Sequence, residues 1–229
     1  MKHILDNPAW NALISGNSHL ANGSGQVRYF DRQVSPFAAL AENSAENFRQ
    51  LYEQLPDYTT ALYVSPVEID FPAQWKVLHY IHGLQMVHDG GNVQADITRN
   101  PVKLTGEHIP QMQELTKLTN PGPFAARTID FGHYYGIFDA DKLVAMAGQR
   151  LHPFEYAEVS AVCTHPDHTG KGYARQLLIH QAERIHAATE IPFLHVRSDN
   201  ERAIKVYESL GFATRIEVHF YVLKKNDAL

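Results

Sequence analysis

The segment that most constrains the fold runs from a strand pattern through a glycine loop into a helix pattern, over residues 155–188. Its middle part reads HPDHTGKGYARQLL from His165 to Leu178, with two glycines around Lys171. Glycines this close together end a strand, and the apolar residues after them recur at helical spacing. A strand, a tight loop and an amphipathic helix in this order predict an α/β fold in which the helix packs on a sheet.

The strand predicted over Glu155–Thr164 has two different faces, because side chains alternate along a strand. Ala157, Val159, Ala161 and Cys163 fall on an apolar face, and Glu158, Ser160, Val162 and Thr164 fall on the other face. The second face carries one carboxylate and two hydroxyls. Since this strand leads directly into the glycine loop, where α/β proteins commonly place ligands, the sequence predicts a binding site here.

The loop Thr169–Ala174 has the chemistry to hold an anion. Its glycines let consecutive N–H groups point into one space at a helix start, where unpaired donors and the helix dipole attract a phosphate. The Walker pattern GxxxxGK[ST] is absent because Gly172 follows Lys171, and GxGxxG fails because Arg175 stands at the position of its third glycine. ATP and NAD are therefore disfavoured, and a plain tight turn is the alternative.

Residues 26–93 read as a small α/β unit without catalytic spacing. Its predicted elements are a strand at Gln26–Phe30, a helix at Ala41–Leu55, and strands at Thr59–Val64 and Trp75–Met86. We expect this unit to be a structural extension or a cover for the second half.

From residue 95 onward the element pattern is clearer. The predicted elements are a helix at Leu104–Leu118, a loop at Thr119–Thr128, a hairpin of Tyr134–Asp139 with Lys142–Leu151, a strand at Pro192–Arg197, a helix capped by Ser198 with Glu201 and ended by Gly211, and a final strand or pair of strands at Ala213–Lys224.

Composition excludes several classes of partner. The 229-residue chain has a formal net charge of -5 and 44% hydrophobic residues, as in an ordinary globular protein. It shows no concentrated Lys/Arg stripe, so nucleic acid is disfavoured as a partner. We find no signal-peptide pattern at Met1–Pro8 and no apolar run that could cross a bilayer, so we expect no membrane association and a cytoplasmic location.

Cysteine and histidine usage points away from redox and metal chemistry. Cys163 is the only cysteine, which excludes an intrachain disulfide, and its apolar neighbours predict a buried thiol rather than a nucleophile. His165 with His168, and His79 with His82, have a spacing that a metal could use. No third ligand follows at a recognisable offset and HExxH is absent, so no metal is predicted.

The segment from Asp199 to Phe212, DNERAIKVYESLGF, sharpens the functional prediction. Its residues Asn200, Ala203, Tyr207, Gly211 and Phe212 match the signature NxxAxxxYxxxGF. With the polar strand and the glycine loop before it, this order resembles the GNAT superfamily of acetyl-CoA-dependent N-acetyltransferases, in a branch with an N-terminal extension. Thr169–Ala174 matches the family's pyrophosphate loop [QR]xxGx[GA], with Thr169 in place of the usual Arg or Gln.

The resemblance implies a mixed, mainly antiparallel twisted sheet flanked by helices, plus a small N-terminal α/β unit. It implies a GNAT N-acetyltransferase domain over residues 95–229 and an N-terminal α/β extension over residues 1–94. The strand–helix–strand–strand order of the extension also allows it to be a degenerate GNAT-like half. No residue-level repeat supports that interpretation.

The resemblance also implies acetyl-CoA as the cosubstrate. Backbone groups of Val162 and Thr164 would pair with the pantetheine arm, and N–H groups from Gly170 to Ala174 would hold the pyrophosphate. The implied coenzyme-binding residues are Val162, Cys163, Thr164, Thr169, Gly170, Lys171, Gly172, Tyr173, Ala174, Asn200 and Tyr207. A solvated loop charge for Lys171 and a plain helix cap for Asn200 are the alternatives.

Acetyl transfer to an amine needs a base, a donor for the oxyanion and a proton for the leaving thiolate. Glu158 is the predicted general base, directly or through a water, and a salt-bridged or solvated strand carboxylate is its alternative role. Tyr207 matches the family tyrosine that protonates the thiolate, with helix packing as its alternative role. Ser160 and His195 are secondary candidates for the base. Arg127 would meet an acidic acceptor group or anchor its own loop.

Three functional hypotheses follow. The first is an N-acetyltransferase that moves an acetyl group to a primary amine of a small molecule or peptide by direct attack. The second is a non-catalytic acyl-CoA-binding module, and the third is a structural α/β domain without cofactor. The acceptor and the oligomeric state, monomer or homodimer, are open at this point.

Overall fold

The computed structural model describes residues 3–57, 59–88, 90–91 and 99–226 of the chain. Within these ranges the α-helices are α1 (Pro8–Leu13), α2 (Ala45–Gln54), α3 (Ile109–Thr119), α4 (Tyr173–Ala187) and α5 (Glu201–Glu208). Short 3-10 turns lie at Ile4–Asp6, Ser18–Leu20, Gly106–His108, Thr128–Phe131 and Pro166–His168. None of the helices in these ranges has both the length and the hydropathy that a membrane crossing requires.

Two sheets run through the described residues. The small sheet consists of β1 (Ala21–Asn22), β2 (Val27–Phe30) and β3 (Ala38–Leu40). The large sheet consists of β4 (Ala61–Ser65), β5 (Trp75–His88), β6 (Val102–Lys103), β7 (Tyr135–Asp139), β8 (Lys142–Gln149), β9 (Tyr156–Thr164), β10 (Ile191–Arg197) and β11 (Phe212–Lys225), in the spatial order β4-β11-β5-β10-β9-β8-β7-β6.

The large sheet is almost entirely antiparallel. Its one parallel pair of described strands is β9 with β10, which α4 connects as a crossover helix. The predicted mixed, mainly antiparallel sheet flanked by helices is therefore confirmed.

The N-terminal part of the chain contributes directly to this sheet. β5 lies between β10 and β11, and it pairs with β11 from Trp75 to His88. β4 pairs with the outer edge of β11. The large sheet therefore extends across both segments of the predicted division at residues 94 and 95, and the boundary itself lies outside the described residues.

Apolar clusters cover both faces of the large sheet. On one face, the N-terminal turn, α1 and α3 pack over a core that includes Leu5, Phe37, Met112, Tyr134 and Phe193. On the other face, α4 and α5 pack over a core that includes Val159, Leu178, Ile185, Leu194 and Phe212. Each helix lies where its apolar stripe can leave water, which is the main energetic reason for the layered arrangement.

Most predicted elements are present, with shifted ends. The helix predicted at Ala41–Leu55 is α2, which Ser44 caps by accepting from the Asn47 N–H at 3.1 Å. The prediction that Ser198 caps the later helix is wrong. Asn200 caps α5 instead, and the Ser198 hydroxyl donates to the His82 carbonyl at 3.1 Å.

The predicted alternation along β9 holds only up to Ser160. Ala161 has φ +53°, and the register with β8 shifts between Met146 and Gly148, so β9 contains a bulge. After the bulge the faces exchange: Val162 joins Ala157 and Val159 on the α4 side, while Ala161 and Cys163 lie in the opposite core. Pattern reading missed this because a one-residue bulge inverts every later side chain.

Gly148 generates a first prediction, because it lies opposite this bulge and directly under Tyr134. A Cβ at Gly148 would overlap the buried Tyr134 ring. We expect Gly148→Ala to destabilise the fold by about 1–3 kcal/mol through overpacking. The measurement is urea unfolding. Gly106→Ala is the matched control, because a Cβ there meets no heavy atom within 4 Å. Equal stability of the two variants would contradict the prediction.

Candidate active site

A groove opens where β9 and β10 separate. The two strands pair at three positions, from Tyr156 opposite Ile191 to Glu158 opposite Phe193. Beyond Glu158, β10 continues to pair with β5, whereas no described strand pairs with that edge of β9. The edge of β9 from Val159 to Thr164 therefore presents backbone donors and acceptors to the groove.

The glycine loop lies at the start of α4, directly after β9. Gly170 and Gly172 have φ +78° and +76°, conformations that favour glycine. Gly172 is the N-terminal cap of α4 and supplies no side-chain acceptor. In the described part of the chain, the N–H groups of residues 170–175 have no hydrogen-bond acceptor. These free donors at a 15-residue helix form a site of positive potential.

The side chains of Thr169 and Lys171, in the same loop, make only local contacts. The Thr169 hydroxyl donates to the Pro166 carbonyl at 3.0 Å, so it stabilises the preceding turn. The Lys171 ammonium lies 3.3 Å from His168 Nδ1. The anion-binding capacity of the loop therefore resides in its backbone.

Thr164, at the end of β9, provides a test of whether a polar ligand fits the groove. Its Oγ1 is buried and has no hydrogen-bond partner in the described residues. A buried hydroxyl without a partner is costly, and a ligand group that forms a hydrogen bond with it would remove that cost. The residues present therefore fit a polar, strand-like ligand arm that ends in a phosphate.

The predicted residues of α5 lie on the α4 side of the sheet. Tyr207 is half-buried and packs against Phe212, with ring centroids 6.2 Å apart. Burial raises the pKa of Tyr207 to about 12, so the phenol is protonated at neutral pH. Asn200 Oδ1 accepts from the Ala203 N–H at 3.2 Å and thus caps the helix, as the alternative interpretation predicted.

A charged cluster lies at Glu158, the last position at which β9 pairs with β10. The Glu158 carboxylate is fully buried and accepts from Arg150 at 2.6 and 2.9 Å, from the Leu151 N–H at 3.2 Å, and from His195 Nδ1 at 2.7 Å. Burial alone would raise the pKa of Glu158, but Arg150 and then His195 outweigh it and hold the pKa well below its usual range. Glu158 is thus ion-paired, as its alternative role predicted.

Three further predicted residues have clear surroundings. Cys163 is buried, which confirms the predicted thiol environment, and burial raises its pKa to about 11. Arg127 pairs with Asp130 at 2.8 Å and its N–H donates to the Gln33 carbonyl, so it anchors its own loop. Ser160 is half-buried next to the bulge. Across the described ranges, no three His, Cys, Asp or Glu side chains meet as a metal site.

Sequence reasoning missed Arg150 and the partners of His195. Arg150 follows β8, and its guanidinium lies 4.9 Å from the Phe37 ring centroid. Gln85 is fully buried, and its amide lies 3.1 Å from His195 Nε2. A glutamine inside an apolar strand is itself a signal, because a buried amide needs partners.

A solved protein shares this architecture over almost the whole chain. A GNAT-family protein from Novosphingobium aromaticivorans DSM 12444 matches 98% of this chain and 100% of its own, with 35% identity and a TM-score of 0.91. The family model described as FR47-like protein matches residues 134–222. The fold is therefore that of a GNAT-type acetyltransferase. The chain belongs to the GNAT family, which confirms the resemblance in its sequence.

Curated relatives match shorter segments. N-alpha-acetyltransferase RimI of Mycobacterium tuberculosis is 37% identical over 84 residues, which are 35% of this chain and 51% of RimI. An uncharacterized protein of Mycobacterium leprae is 40% identical over 101 residues, which are 41% of this chain and 27% of that protein. The chain thus spans about half of one curated relative and about a quarter of the other.

Removing Arg150 tests how the buried carboxylate is stabilised. We expect Arg150→Met to lower the free energy of unfolding by about 3–5 kcal/mol at neutral pH, because it leaves Glu158 charged and buried without its cation. The double variant Arg150→Met/Glu158→Gln is the control and should recover much of that loss. Urea unfolding measures both. No recovery in the double variant would contradict the charge explanation.

The pH dependence of the same variants has a defined sign. In the wild type the pKa of Glu158 is lower in the folded state than in the unfolded state, where it is about 4.3. The charged carboxylate therefore stabilises the fold above the unfolded-state pKa, and this contribution is lost as the pH falls through the folded-state pKa. In Arg150→Met, burial raises the pKa of Glu158, so the variant regains stability as pH falls. The difference in the free energy of unfolding between variant and wild type should therefore become smaller as the pH is lowered from neutral to about 5.

Proposed function

We propose that the chain is an acetyl-CoA-dependent N-acetyltransferase that moves an acetyl group to a primary amine of a small molecule or peptide. The observation that carries this proposal is the set of free N–H groups at the start of α4, at the mouth of the β9–β10 groove. The name of the partial relative RimI makes a peptide α-amino group one acceptor to test. We expect the reaction in the cytoplasm.

The groove residues divide the binding of the cosubstrate between them. N–H groups of Gly170–Ala174 would bind the pyrophosphate, and the free edge of β9 at Val162 and Thr164 would pair with the pantetheine arm. The Thr164 hydroxyl would complete its hydrogen bonding with the same arm, and the Asn200 amide would donate to it. When bound, acetyl-CoA supplies the activated acyl group.

Tyr207 is the proposed donor to the leaving sulfur. Its raised pKa keeps the phenol protonated across the neutral range, so it can donate to a sulfur that gains negative charge. Its half-buried position on α5, two turns after the cap at Asn200, is consistent with a role at the groove.

We keep Glu158 as the proposed general base. The contacts of its carboxylate determine what must change before it can accept a proton. Four donor contacts fill the acceptor positions of the carboxylate, and its lowered pKa makes it a weak base. Glu158 would have to release one donor before it accepts a proton. Glu158→Gln with unchanged kcat would exclude it as the base.

The free N–H groups at the start of α4 also support a second candidate, a non-catalytic acyl-CoA-binding module. Two measurements on the wild type separate the candidates: calorimetric titration with coenzyme A, and thiol release from acetyl-CoA across a panel of amines and peptides. Binding with turnover supports the enzyme, and binding without turnover on any acceptor supports the module. Absence of binding would overturn both.

Thr164→Val tests the groove itself. We expect the dissociation constant for coenzyme A to rise about 5- to 10-fold, because one hydrogen bond to the ligand is lost. The free energy of unfolding should stay equal or increase, because the variant no longer buries a hydroxyl without a partner. Calorimetry and urea unfolding give the two values. Thr60→Val, at an exposed threonine, is the control and should change neither.

Tyr207→Phe tests the proposed acid. We expect kcat to fall about 100-fold, with little change in coenzyme A affinity, since the ring packing against Phe212 is retained. Steady-state kinetics on an accepted amine and calorimetry measure this. Tyr52→Phe, on α2, is the matched control because Tyr52 packs on Trp75 in the N-terminal part. An unchanged kcat in Tyr207→Phe would remove this residue from the mechanism.

A further inference from the structure

A chain of hydrogen bonds runs from the centre of the sheet to the N-terminal turn. His195 Nδ1 contacts Glu158 Oε1 at 2.7 Å, and His195 Nε2 contacts the Gln85 amide nitrogen at 3.1 Å. Arg215 Nε donates to Gln85 Oε1 at 2.6 Å, and Arg215 Nη2 donates to Asp6 Oδ1 at 2.7 Å. Gln85 and the His195 side chain are 0% and 3% exposed, so water cannot easily replace these contacts.

Two neighbours determine the orientation of the Gln85 amide. The Arg215 guanidinium has donors only, so the Gln85 atom that it contacts must be the carbonyl oxygen. The Leu5 carbonyl has no donor, so the Gln85 atom 2.9 Å from it must be the NH2 group. Both contacts require the same orientation, and a flipped amide would oppose donor to donor on one side and acceptor to acceptor on the other.

The orientation of Gln85 then determines the tautomer of His195. The Gln85 NH2 group only donates, so His195 Nε2 must accept and carries no proton. The proton of the ring lies on Nδ1, where it is donated to the ionised Glu158 carboxylate. Every donor in the chain meets an acceptor only in this arrangement.

We propose that Gln85 is a positioning residue, which, held by Arg215, Asp6 and the Leu5 carbonyl, fixes His195 as the Nδ1–H tautomer. In that tautomer His195 supplies one of the four donor contacts of Glu158 and keeps its ring between Phe193 and Phe220. The N-terminal turn at Ile4–Asp6 thus belongs to the support of the groove. Any effect on turnover rests on the proposed function, whereas the tautomer does not.

The tautomer can be measured directly in the wild-type protein. A 15N–1H long-range correlation spectrum of the histidine rings at neutral pH should show His195 with Nδ1 protonated and Nε2 unprotonated. His195→Gln identifies the signal by its disappearance. A wild-type His195 protonated at Nε2 would overturn the proposal, whether or not any variant folds.

Gln85→Glu is the sharpest variant, because it keeps the shape and replaces the donor by an acceptor. Glu at this position still accepts from Arg215, but its carboxylate requires a proton on His195 Nε2. We expect the Nε2–H signal to appear in the spectrum. Asp6→Asn, at a partly exposed carboxylate, weakens the hold on Arg215 and should produce a smaller Nε2–H population. No Nε2–H signal in either variant would contradict a positioning role.

Kinetics distinguish this inference from the function it builds on. On an accepted amine, Gln85→Glu should lower kcat about 10-fold with an unchanged dissociation constant for coenzyme A. An Nε2–H signal with unchanged kcat would overturn the link to catalysis and leave the tautomer assignment standing. Lack of turnover in the wild type would contradict the proposed function alone, because the spectrum does not depend on turnover.

Discussion

The structure depends on a buried carboxylate at the point where two parallel strands separate. Glu158 occupies the last paired position of β9 with β10, and its full burial requires compensation of its charge. Arg150 and Leu151 provide this from the segment between β8 and β9, and His195 provides it from β10. The carboxylate therefore ties three segments together at the base of the groove. Beyond Glu158 the two strands no longer pair with each other, and the edge of β9 that faced β10 is unpaired in the described residues.

The N-terminal part of the chain completes this arrangement from the opposite face. Phe37 lies under the Arg150 guanidinium, and the Leu5 carbonyl accepts from Gln85. β5, which carries Gln85, lies inside the large sheet, next to β10. Removal of the N-terminal part would thus remove two strands of the sheet, β4 and β5, and partners of the buried polar groups. This dependence argues that the N-terminal part and residues 99–226 function as one structural unit, whatever their evolutionary relation.

Features of the fold that depend on a few neighbouring residues could be predicted from the sequence, whereas contacts between distant segments could not. The glycine loop and α4 were predictable because hydrophobic period and glycine placement act over a few residues, whereas the mainly antiparallel sheet was implied by the resemblance to the GNAT family. The bulge at Ala161 was not, since it depends on register with β8 rather than on β9 alone. The contact of Gln85 with His195 joins residues 110 positions apart, and only the sheet order brings them together. The cap at Asn200 instead of Ser198 shows how small such errors are near helix ends.

These contacts also limit what chemistry the centre can perform. A carboxylate that accepts from Arg150, a backbone N–H and His195 is stabilised in its charged form, so proton uptake there costs the loss of at least one strong contact. The free polar groups lie elsewhere, along the edge of β9 and at the start of α4. On the proposed function, binding energy for a cosubstrate would therefore come from the groove, while the buried cluster sets the geometry of the strands that form it. On the proposed function, Glu158 would influence the reaction through the position of β9 and β10, and direct proton transfer would require a rearrangement that the proposed tautomer of His195 opposes.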